Sequence, residues 1–317
     1  MKLVTFQNKE EQIRIGWLAD GGVVDMNLAH PSLPTDMLTF IDNHQEYYKT
    51  IASLNTVTPH YAIEDIKILA PLPNPRSFRD YVAFEQHMIN ATISFGQKVS
   101  QDWYDMPIFY FTNHQAIYGP NDKIKRPANE KALDIELEMV AIIGKKGTDI
   151  TSKNADDYIF GYTIFNDWTA RAIQKKEMTV PLGPHKGKDF ANVIGPCIIT
   201  KDEMEQYRCS ISRESHPEHL TMPEETGGRF DLKMSAKING NLICEGNYKT
   251  VHWTFPQMIE RASENSVTLF PGDILGSGTV GWGSLIENNF SVHRPLEPGD
   301  EVELEIEGIG VLKNKVI

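Results

Sequence analysis

DIELEMVAIIG, residues 134–144, is the stretch that decides the fold of this chain. Its apolar run predicts a β-strand, in which residues two apart project from the same face. Glu136 and Glu138 would share a face, where like charges on a buried strand repel each other and are costly to desolvate. A divalent cation would remove that conflict, because hard ions such as Mg²⁺ or Ca²⁺ prefer carboxylate oxygens. The alternative is an edge strand that leaves both glutamates in water.

The composition is that of an ordinary soluble globular chain. Its 317 residues are 40% hydrophobic and 23% charged, with a formal net charge of −12. The excess of acid, without a basic stripe or tail, argues against nucleic acid and anionic membrane partners. No apolar run approaches a membrane span, and the N-terminus turns polar too soon for a secretory signal. The scattered Cys197, Cys209 and Cys244 favour free thiols in a reducing cytoplasm.

The pattern of strands and turns predicts two regions. Residues 1–65 combine short strand-like runs with one or two helices and predict a small N-terminal α+β domain. In residues 66–317 strand-like runs dominate, and Asn239-Gly240 is a hairpin signal. Convincing helices are few there, and we expect them at residues 80–93, 154–158, 169–176 and 254–262. The predicted fold class is therefore α+β, with a mostly β core.

A second polar cluster lies in FNDWTARAIQ, residues 165–174. Asp167 ends a strand-like run and is a favoured N-cap residue for a helix that would follow. Asp167, Arg171 and Gln174 stand at helical spacing, so a helix would place a carboxylate, a guanidinium and an amide on one face. Such a face could line a polar pocket or could simply be solvated.

Two further segments carry candidate residues. Lys188 lies in PLGPHKGKDF, residues 181–190, and could supply positive charge to a developing oxyanion or could face solvent. Asp80 and His87 are seven residues apart and would share a face of the helix expected at residues 80–93. A lone His is more often structural than catalytic, and a lone Asp at a helix start is usually a cap.

These motifs together resemble those of the fumarylacetoacetate hydrolase family. The resemblance rests on segments that stand in the family's order, at residues 134–144, 165–174, 181–184, 187–190 and 276–279. It runs from about Asp80 to the C-terminus. It implies a mixed β-roll or β-sandwich catalytic domain of the family's type, a smaller N-terminal domain, and often a homodimer.

The resemblance also implies roles for individual residues. A divalent metal would be bound by four carboxylates, Asp80, Glu136, Glu138 and Asp167. His87 would activate water with the help of Glu287. The substrate and its oxyanion would be held by Arg171, Gln174, Lys188, Tyr110 and Thr279. A divalent ion with the two cationic residues would balance the four carboxylates, as a buried site requires. Oxygen ligands favour Mg²⁺ first, then Ca²⁺ or Mn²⁺.

The chemistry expected from these parts is hydrolysis of a carbon–carbon bond in a β-diketo acid, a reaction of aromatic catabolism. The metal would polarise the dicarbonyl and stabilise the departing enolate, while His87 and Glu287 activate water. One alternative is a decarboxylase, tautomerase or hydratase acting on a 2-keto acid such as oxaloacetate. Another is a non-catalytic homologue.

The departures from the family pattern lie at substrate-recognition positions. Val82 stands where a tyrosine is expected, Met178 or one of its neighbours stands where another is expected, and Gly96 stands where an arginine is expected. Ala191 and Asn192 replace a Gly-Thr pair near the metal. We therefore expect the substrate to be a diketo or 2-keto acid other than fumarylacetoacetate itself.

Overall fold

The structure of the protein, a computed structural model, describes residues 1–54, 57–93 and 98–317. Gly96 therefore lies outside the described residues. Strands dominate, and in chain order they are β1 (Lys2–Gln7), β2 (Ile13–Ala19), β3 (Gly22–Asp25), β4 (Tyr61–Ala62), β5 (Lys67–Ile68), β6 (Ser77–Tyr81), β7 (Phe109–Phe111), β8 (Ile117–Tyr118), β9 (Lys123–Ile124), β10 (Leu133–Asp134), β11 (Leu137–Ile143), β12 (Gly147–Thr148), β13 (Ile159–Asp167), β14 (Thr169–Ala170), β15 (Asn192–Thr200), β16 (Lys233–Ile238), β17 (Asn241–Asn247), β18 (Thr268–Leu269), β19 (Asp273–Gly276), β20 (Glu301–Ile306) and β21 (Gly310–Val316).

The helices are short. They are α1 (Met26–Ala29), α2 (Met37–Asp42), α3 (His44–Ser53), α4 (Glu85–Ile93), α5 (Gln101–Asp105), α6 (Ser152–Ala155), α7 (Arg171–Glu177), α8 (His185–Lys188), α9 (Lys201–Met204) and α10 (Phe255–Ser263). Single 3₁₀ turns lie at Ile63–Asp65, Asp156–Tyr158, Glu205–Tyr207, Tyr248–Thr250 and Ile286–Asn288. Within the described ranges, no helix has both the length and the apolar character needed to cross a bilayer. The predicted α+β class with a mostly β core is confirmed.

One large open sheet carries the candidate site. Its strand order is β4-β3-β2-β1-β15-β13-β11-β19-β6-β7, with β5 also paired to β1 and β8 to β15. Only the β19–β6 and β8–β15 pairs of this sheet are parallel in the described chain. The central strands β11 and β13 are buried along their whole lengths, which explains their nearly continuous apolar sequences. Glu138 therefore lies on a central strand, and the edge-strand alternative does not hold for it.

The N-terminal strands extend the same sheet. β1 pairs antiparallel with β15, where Leu3 stands opposite Ile198, and β2, β3 and β4 follow outward from it. Phe40 of α2 packs edge-on against Phe160 of β13, with ring centroids 6.1 Å apart. The boundary at residue 65 between two domains stays a prediction.

A smaller sheet, in the order β17-β16-β20-β21-β9, packs beside the first. Its β16–β17 hairpin turns at Asn239 and Gly240, whose φ angles of 51° and 79° suit a type I′ turn, so the predicted hairpin is confirmed. Side chains of both sheets and of α10 share one buried apolar cluster. Within it, the rings of Tyr162 and Phe230 lie 5.2 Å apart.

The helix predicted at residues 80–93 is wrong in its first part. Residues Ser77–Tyr81 form β6, which pairs with β19 on one side and β7 on the other, and α4 begins only at Glu85. Backbone pairing with two neighbours outweighs the helical spacing of the sequence. Asp80 and His87 consequently lie on different elements and not on one helix face.

Candidate metal centre

Three buried carboxylates converge where β6, β11 and β13 lie near one another. They belong to Asp80, Glu138 and Asp167, which are 3%, 0% and 0% exposed. One oxygen from each lies within 4.8 Å of the other two. Glu138 stands opposite Phe165 in the β11–β13 ladder, which brings it close to Asp167 at the end of β13. We refer to these three residues as the carboxylate trio.

Gly276 allows the third carboxylate to reach the other two. It lies on β19 between β6 and β11, opposite Asp80 on one side and Val140 on the other. A Cβ atom at Gly276 would lie 2.2 Å from Oδ1 of Asp80. A side chain at this position would therefore displace the carboxylate from the trio.

The trio has the features expected of a cation site. Oδ1 of Asp80, Oε2 of Glu138 and Oδ1 of Asp167 are buried and have no hydrogen-bond partner among the described residues. Burial, with the charge of Asp167, raises the pKa of Asp80 well above its usual value, and burial with the charge of Asp80 does the same for Glu138. Burial also raises the pKa of Asp167 to about 6. A divalent cation with oxygen ligands would satisfy all three groups, so the residues fit such an ion.

Glu136 lies beside the trio but is held by cations. Its Oε1 is 2.8 Å from Nη2 of Arg171, and its Oε2 accepts a hydrogen bond from the ammonium of Lys188. Although burial opposes the effect, the charges of Lys188 and Arg171 lower the pKa of Glu136 to about 2. The strand β11 begins one residue after Glu136. Its assignment as a fourth metal ligand stays a prediction.

Lys188 is buried and points at the carboxylates instead of solvent. Its Nζ donates to Oδ2 of Asp167 at 2.7 Å as well as to Glu136. The backbone N–H groups of Lys186 and Gly187 in α8 both donate to the carboxylate of Glu177 at 2.8 Å, which ties this segment to the end of α7. These contacts bring Lys188 to the site, where its charge offsets those of Glu136 and Asp167.

Arg171 and Gln174 are brought together by α7, but Asp167 is not on that helix. Asp167 ends β13, the short strand β14 follows, and α7 begins at Arg171 with Ala170 as its N-cap. The N-cap role considered for Asp167 is therefore wrong, because the two-residue strand β14 separates β13 from α7. Nη1 of Arg171 donates to Oε1 of Gln174 at 3.0 Å.

The two predicted substrate-contacting residues touch the trio directly. The hydroxyl of Tyr110 donates to Oδ2 of Asp167 at 2.7 Å. The hydroxyl of Thr279 donates to Oε1 of Glu138 at 3.4 Å. Both side chains thus lie where they would contact a ligand bound next to these carboxylates.

His87 and Glu287 form a second group of buried polar side chains. Nδ1 of His87 is 3.1 Å from Oε2 of Glu287, in contact but not aligned as a hydrogen bond. Burial opposes ionisation of Glu287, but its contacts with His87 and Asn90 lower its pKa overall. A protonated His87 would also lower the pKa of Glu136, after the larger effects of Lys188 and Arg171.

Sequence reasoning missed the residues that hold Glu287 in place. Asn90 Nδ2 and the backbone N–H of Trp282 donate to its Oε1 at 2.9 and 2.8 Å. The backbone N–H and hydroxyl of Ser284 donate to Oε2 at 3.1 and 2.9 Å. A sequence signal for part of this was present, since Ser-x-x-Glu is the spacing of a capping box.

Of the positions that depart from the family pattern, Asn192 lies close to the site. Asn192 stands directly opposite Asp167 in the β13–β15 ladder, and its Oδ1 accepts a hydrogen bond from Thr112 at 3.1 Å. The carbonyl of Val82 accepts a hydrogen bond from the Trp103 indole at 2.7 Å, and Met178 is largely exposed. Asn192 thus lies next to the trio in the ladder, and its side chain is bonded to Thr112 and to the carbonyl of Asn113.

The stabilisation provided by a divalent metal is expected to grow with pH. The folded-state pKa of Asp167 is raised from 3.8 to about 6, so the folded protein retains a proton that the unfolded chain has lost. The stability of the metal-free protein should therefore fall as pH rises through that window. Glu136 has the opposite effect on stability, because its pKa is lowered in the folded protein, but it acts at lower pH, between about 2 and 4.5. Bound metal would displace the proton, so its contribution should be larger above pH 6.

Melting temperatures measured in EDTA and in excess Mg²⁺ between pH 4.5 and 7.5 check this expectation. The gap between the two curves should widen as pH rises. A gap that is constant, or that narrows with pH, would contradict the assignment of protonated carboxylates to the metal-free site.

Comparison with known proteins identifies the family. A sequence model described as Fumarylacetoacetate (FAA) hydrolase C-terminal matches residues 76–317. Fumarylacetoacetase from Arabidopsis thaliana is 31% identical over 267 residues, which cover 71% of this chain and 63% of that protein. The chain thus spans less than two thirds of the plant protein. Oxaloacetate tautomerase fahd2, mitochondrial, from Xenopus laevis is 28% identical over 325 residues, covering 100% of this chain and 90% of that protein.

Solved structures share the fold along the whole chain. Fumarylacetoacetate hydrolase from Exiguobacterium antarcticum superposes with a TM-score of 0.72 at 26% identity, covering 100% of this chain and 99% of that one. Maleylpyruvate hydrolase from Sphingobium sp. SYK-6, solved with manganese(II) and pyruvate, gives a TM-score of 0.68 at 22% identity with the same coverage. Because the family model matches most of the sequence and the fold is shared, this protein belongs to the fumarylacetoacetate hydrolase family.

Proposed function

We propose that this protein is a divalent-metal-dependent hydrolase that cleaves a carbon–carbon bond in a β-diketo acid, such as an acylpyruvate. The observation that carries the proposal is the buried contact between His87 and Glu287, in a chain that also has a carboxylate trio suited to a cation. A water-activating base next to a cation site is the arrangement that hydrolysis requires, whereas decarboxylation needs no activated water.

The metal would be held by the carboxylate trio, with Glu136 as a fourth ligand. The three unpartnered oxygens of the trio support this assignment. When bound, the ion would polarise the oxygens of a chelating keto acid. Oxygen ligands favour Mg²⁺, with Ca²⁺ and Mn²⁺ as alternatives, and the manganese complex of the Sphingobium protein is consistent with such a site.

His87 would act as the general base in this reaction. It would take a proton from water, whose oxygen then adds to the carbonyl carbon of the substrate. Glu287, fixed by Asn90, Trp282 and Ser284, would orient the imidazole and stabilise its protonated form. Because Glu287 accepts four hydrogen bonds from these neighbours, it is well held for that role.

The cationic side of the site would stabilise the tetrahedral oxyanion. Arg171, Gln174 and Lys188 supply donors there, and Tyr110 and Thr279 would contact the substrate. Collapse of the oxyanion would break the carbon–carbon bond, giving a carboxylic acid. The electron pair of that bond would remain on the other fragment as an enolate, which then takes a proton at carbon.

A second candidate function is tautomerisation of oxaloacetate. The specific observation in its favour is the Xenopus laevis oxaloacetate tautomerase, which aligns over 100% of this chain. This reaction moves a proton between carbon and oxygen and needs a base, but no attack by water. His87 could serve as that base in the same site.

A panel of acylpyruvates, fumarylpyruvate and oxaloacetate with added Mg²⁺ or Mn²⁺ separates these functions. Hydrolysis predicts loss of enol absorbance with release of pyruvate and a carboxylic acid in equal amounts. A tautomerase would accelerate keto–enol exchange of oxaloacetate and release no new acid. Absence of either activity with every substrate and metal would favour a non-catalytic homologue.

We also propose that the protein works as a homodimer in the cytoplasm. The dimer is suggested by the family resemblance, and the cytoplasm by the free thiols of Cys197, Cys209 and Cys244. Light scattering of the purified protein would test the dimer by giving a mass of about twice the 35.9 kDa of the chain.

A further inference from the structure

Asp134 is a buried carboxylate that contacts two parts of the candidate site. It is 0% exposed, and its two oxygens accept four hydrogen bonds. Oδ1 accepts from the backbone N–H groups of Ile135 and Leu285, both at 2.8 Å. Oδ2 accepts from Nε of Arg171 at 2.8 Å and from the backbone N–H of Ile286 at 3.1 Å. Because these four hydrogen bonds occupy the lone pairs of both oxygens, the Asp134 carboxylate is not available to bind a metal or substrate.

On one side, Asp134 fixes the guanidinium of Arg171. A guanidinium is a rigid planar fork, so holding Nε determines where its other N–H groups point. With Nε on Asp134, Nη1 reaches Gln174 at 3.0 Å and Nη2 lies 2.8 Å from Glu136. Rotation of the guanidinium would move the N–H groups of Arg171 that are proposed to stabilise the oxyanion.

On the other side, Asp134 caps the turn that carries Glu287. Leu285 is the N-cap of the 3₁₀ turn and Ile286 is its first residue, and N–H groups at the start of such a turn have no partner within it. Asp134 accepts hydrogen bonds from both, so a residue distant in sequence supplies the cap. Glu287 lies in the middle of this turn and contacts His87.

We propose that Asp134 is a positioning residue that sets the distance between the oxyanion donors at Arg171 and the water-activating pair at His87 and Glu287. This inference rests on the proposed function. The short β10–β14 pairing, in which Asp134 stands opposite Thr169, fixes its backbone next to the start of α7. Asp134 touches no reacting atom and acts through its neighbours.

The test is Asp134→Asn, measured with the substrate that the wild type turns over fastest. Asparagine keeps the shape but turns one acceptor into a donor, which then faces N–H groups. We expect kcat to fall about 10- to 100-fold, with KM and Mg²⁺ affinity nearly unchanged. The matched control is Asp300→Asn, which also removes a buried carboxylate bound to an arginine, Arg294, and to the N–H of Glu297. The control should lose stability but keep kcat.

A double-mutant cycle separates positioning from general structural damage. If Asp134 acts through Arg171, then Asp134→Asn should lower kcat much less in an Arg171→Ala background than in the wild type. Equal fold-losses in both backgrounds would overturn the proposal. An unchanged kcat in a folded Asp134→Asn variant would also overturn it.

A variant that does not fold and a wild type without activity also have defined consequences for the proposal. If Asp134→Asn does not fold, Asp134→Ser replaces it in the same cycle. Failure of both variants to fold would show a residue needed for folding alone, and the positioning role would be rejected. A wild type without activity sinks the proposed function, whereas an active wild type with an unaffected variant sinks only this inference.

Discussion

Replacing Glu138 with glutamine is expected to abolish divalent-metal binding and turnover together, while raising the stability of the metal-free protein. Burial and the charge of Asp80 raise the pKa of Glu138 well above its usual value. Glutamine keeps the shape of the side chain but cannot ionise, so the metal-free fold no longer bears the cost of keeping a buried carboxyl protonated at neutral pH. The same substitution deprives the ion of an anionic ligand. Glu138→Ala should likewise lose metal binding and activity.

Thermal unfolding with and without Mg²⁺ measures both effects. At metal concentrations of about 100 times Kd the wild type should gain about 2.7 kcal/mol, and Glu138→Gln should gain almost nothing. Asp300→Asn serves as the control, because the Asp300 carboxylate is held by Arg294 and its pKa is lowered to about 2. That variant should lose stability in EDTA and keep the metal response. An unchanged metal response in Glu138→Gln would remove this residue from the ligand set.

Replacing His87 with alanine is expected to reduce kcat by about 10²- to 10⁴-fold, with metal affinity nearly intact. The imidazole contacts Glu287 and lies outside the carboxylate trio, so its loss removes the proposed base but no proposed ligand of the ion. Glu287→Gln should cause a smaller loss, because the base remains but its protonated form is no longer stabilised.

His252→Ala is the matched control for this prediction. His252 is buried like His87, but its ring packs against Trp103 at 4.9 Å and burial lowers its pKa to about 4. This variant should lose stability and keep turnover per folded molecule. The general-base role fails if His87→Ala retains wild-type kcat, or if it loses metal binding in parallel with activity.

Strands could be predicted where their own sequence has the pattern of a strand. The nearly continuous apolar run at residues 137–143 predicts β11, and the alternation of Glu with Val, Leu and Ile at residues 301–306 is typical of a strand with one buried face, as β20 is. Only the end of β6, Asp80 and Tyr81, falls in the range predicted as helix, and this strand is fixed by its pairing with β19 and β7. The short strands such as β10 and β14 depend on distant partners in the same way. Sequence periodicity contains no information about such pairings.

The candidate site could be predicted residue by residue only through motifs. The E-x-E pattern indicated a buried charge conflict, and Glu138 lies in such a conflict on a central strand. The pairing of Glu136 with Arg171 and Lys188 could not be read from spacing, because those cations come from α7 and α8. Asp134 lies in the same segment as the two glutamates, but its carboxylate bonds to the backbone of Leu285 and Ile286, which are 151 and 152 residues further along the chain.

Anomalous diffraction from crystals soaked in Mn²⁺ tests the central claim most directly. A single strong peak should lie between Asp80, Glu138 and Asp167, with carboxylate oxygens at about 2.0–2.3 Å from the ion. The same soak of Glu138→Gln crystals should give no peak there. A wild-type map with no peak among these three residues, or with its only strong peak elsewhere, would contradict the account.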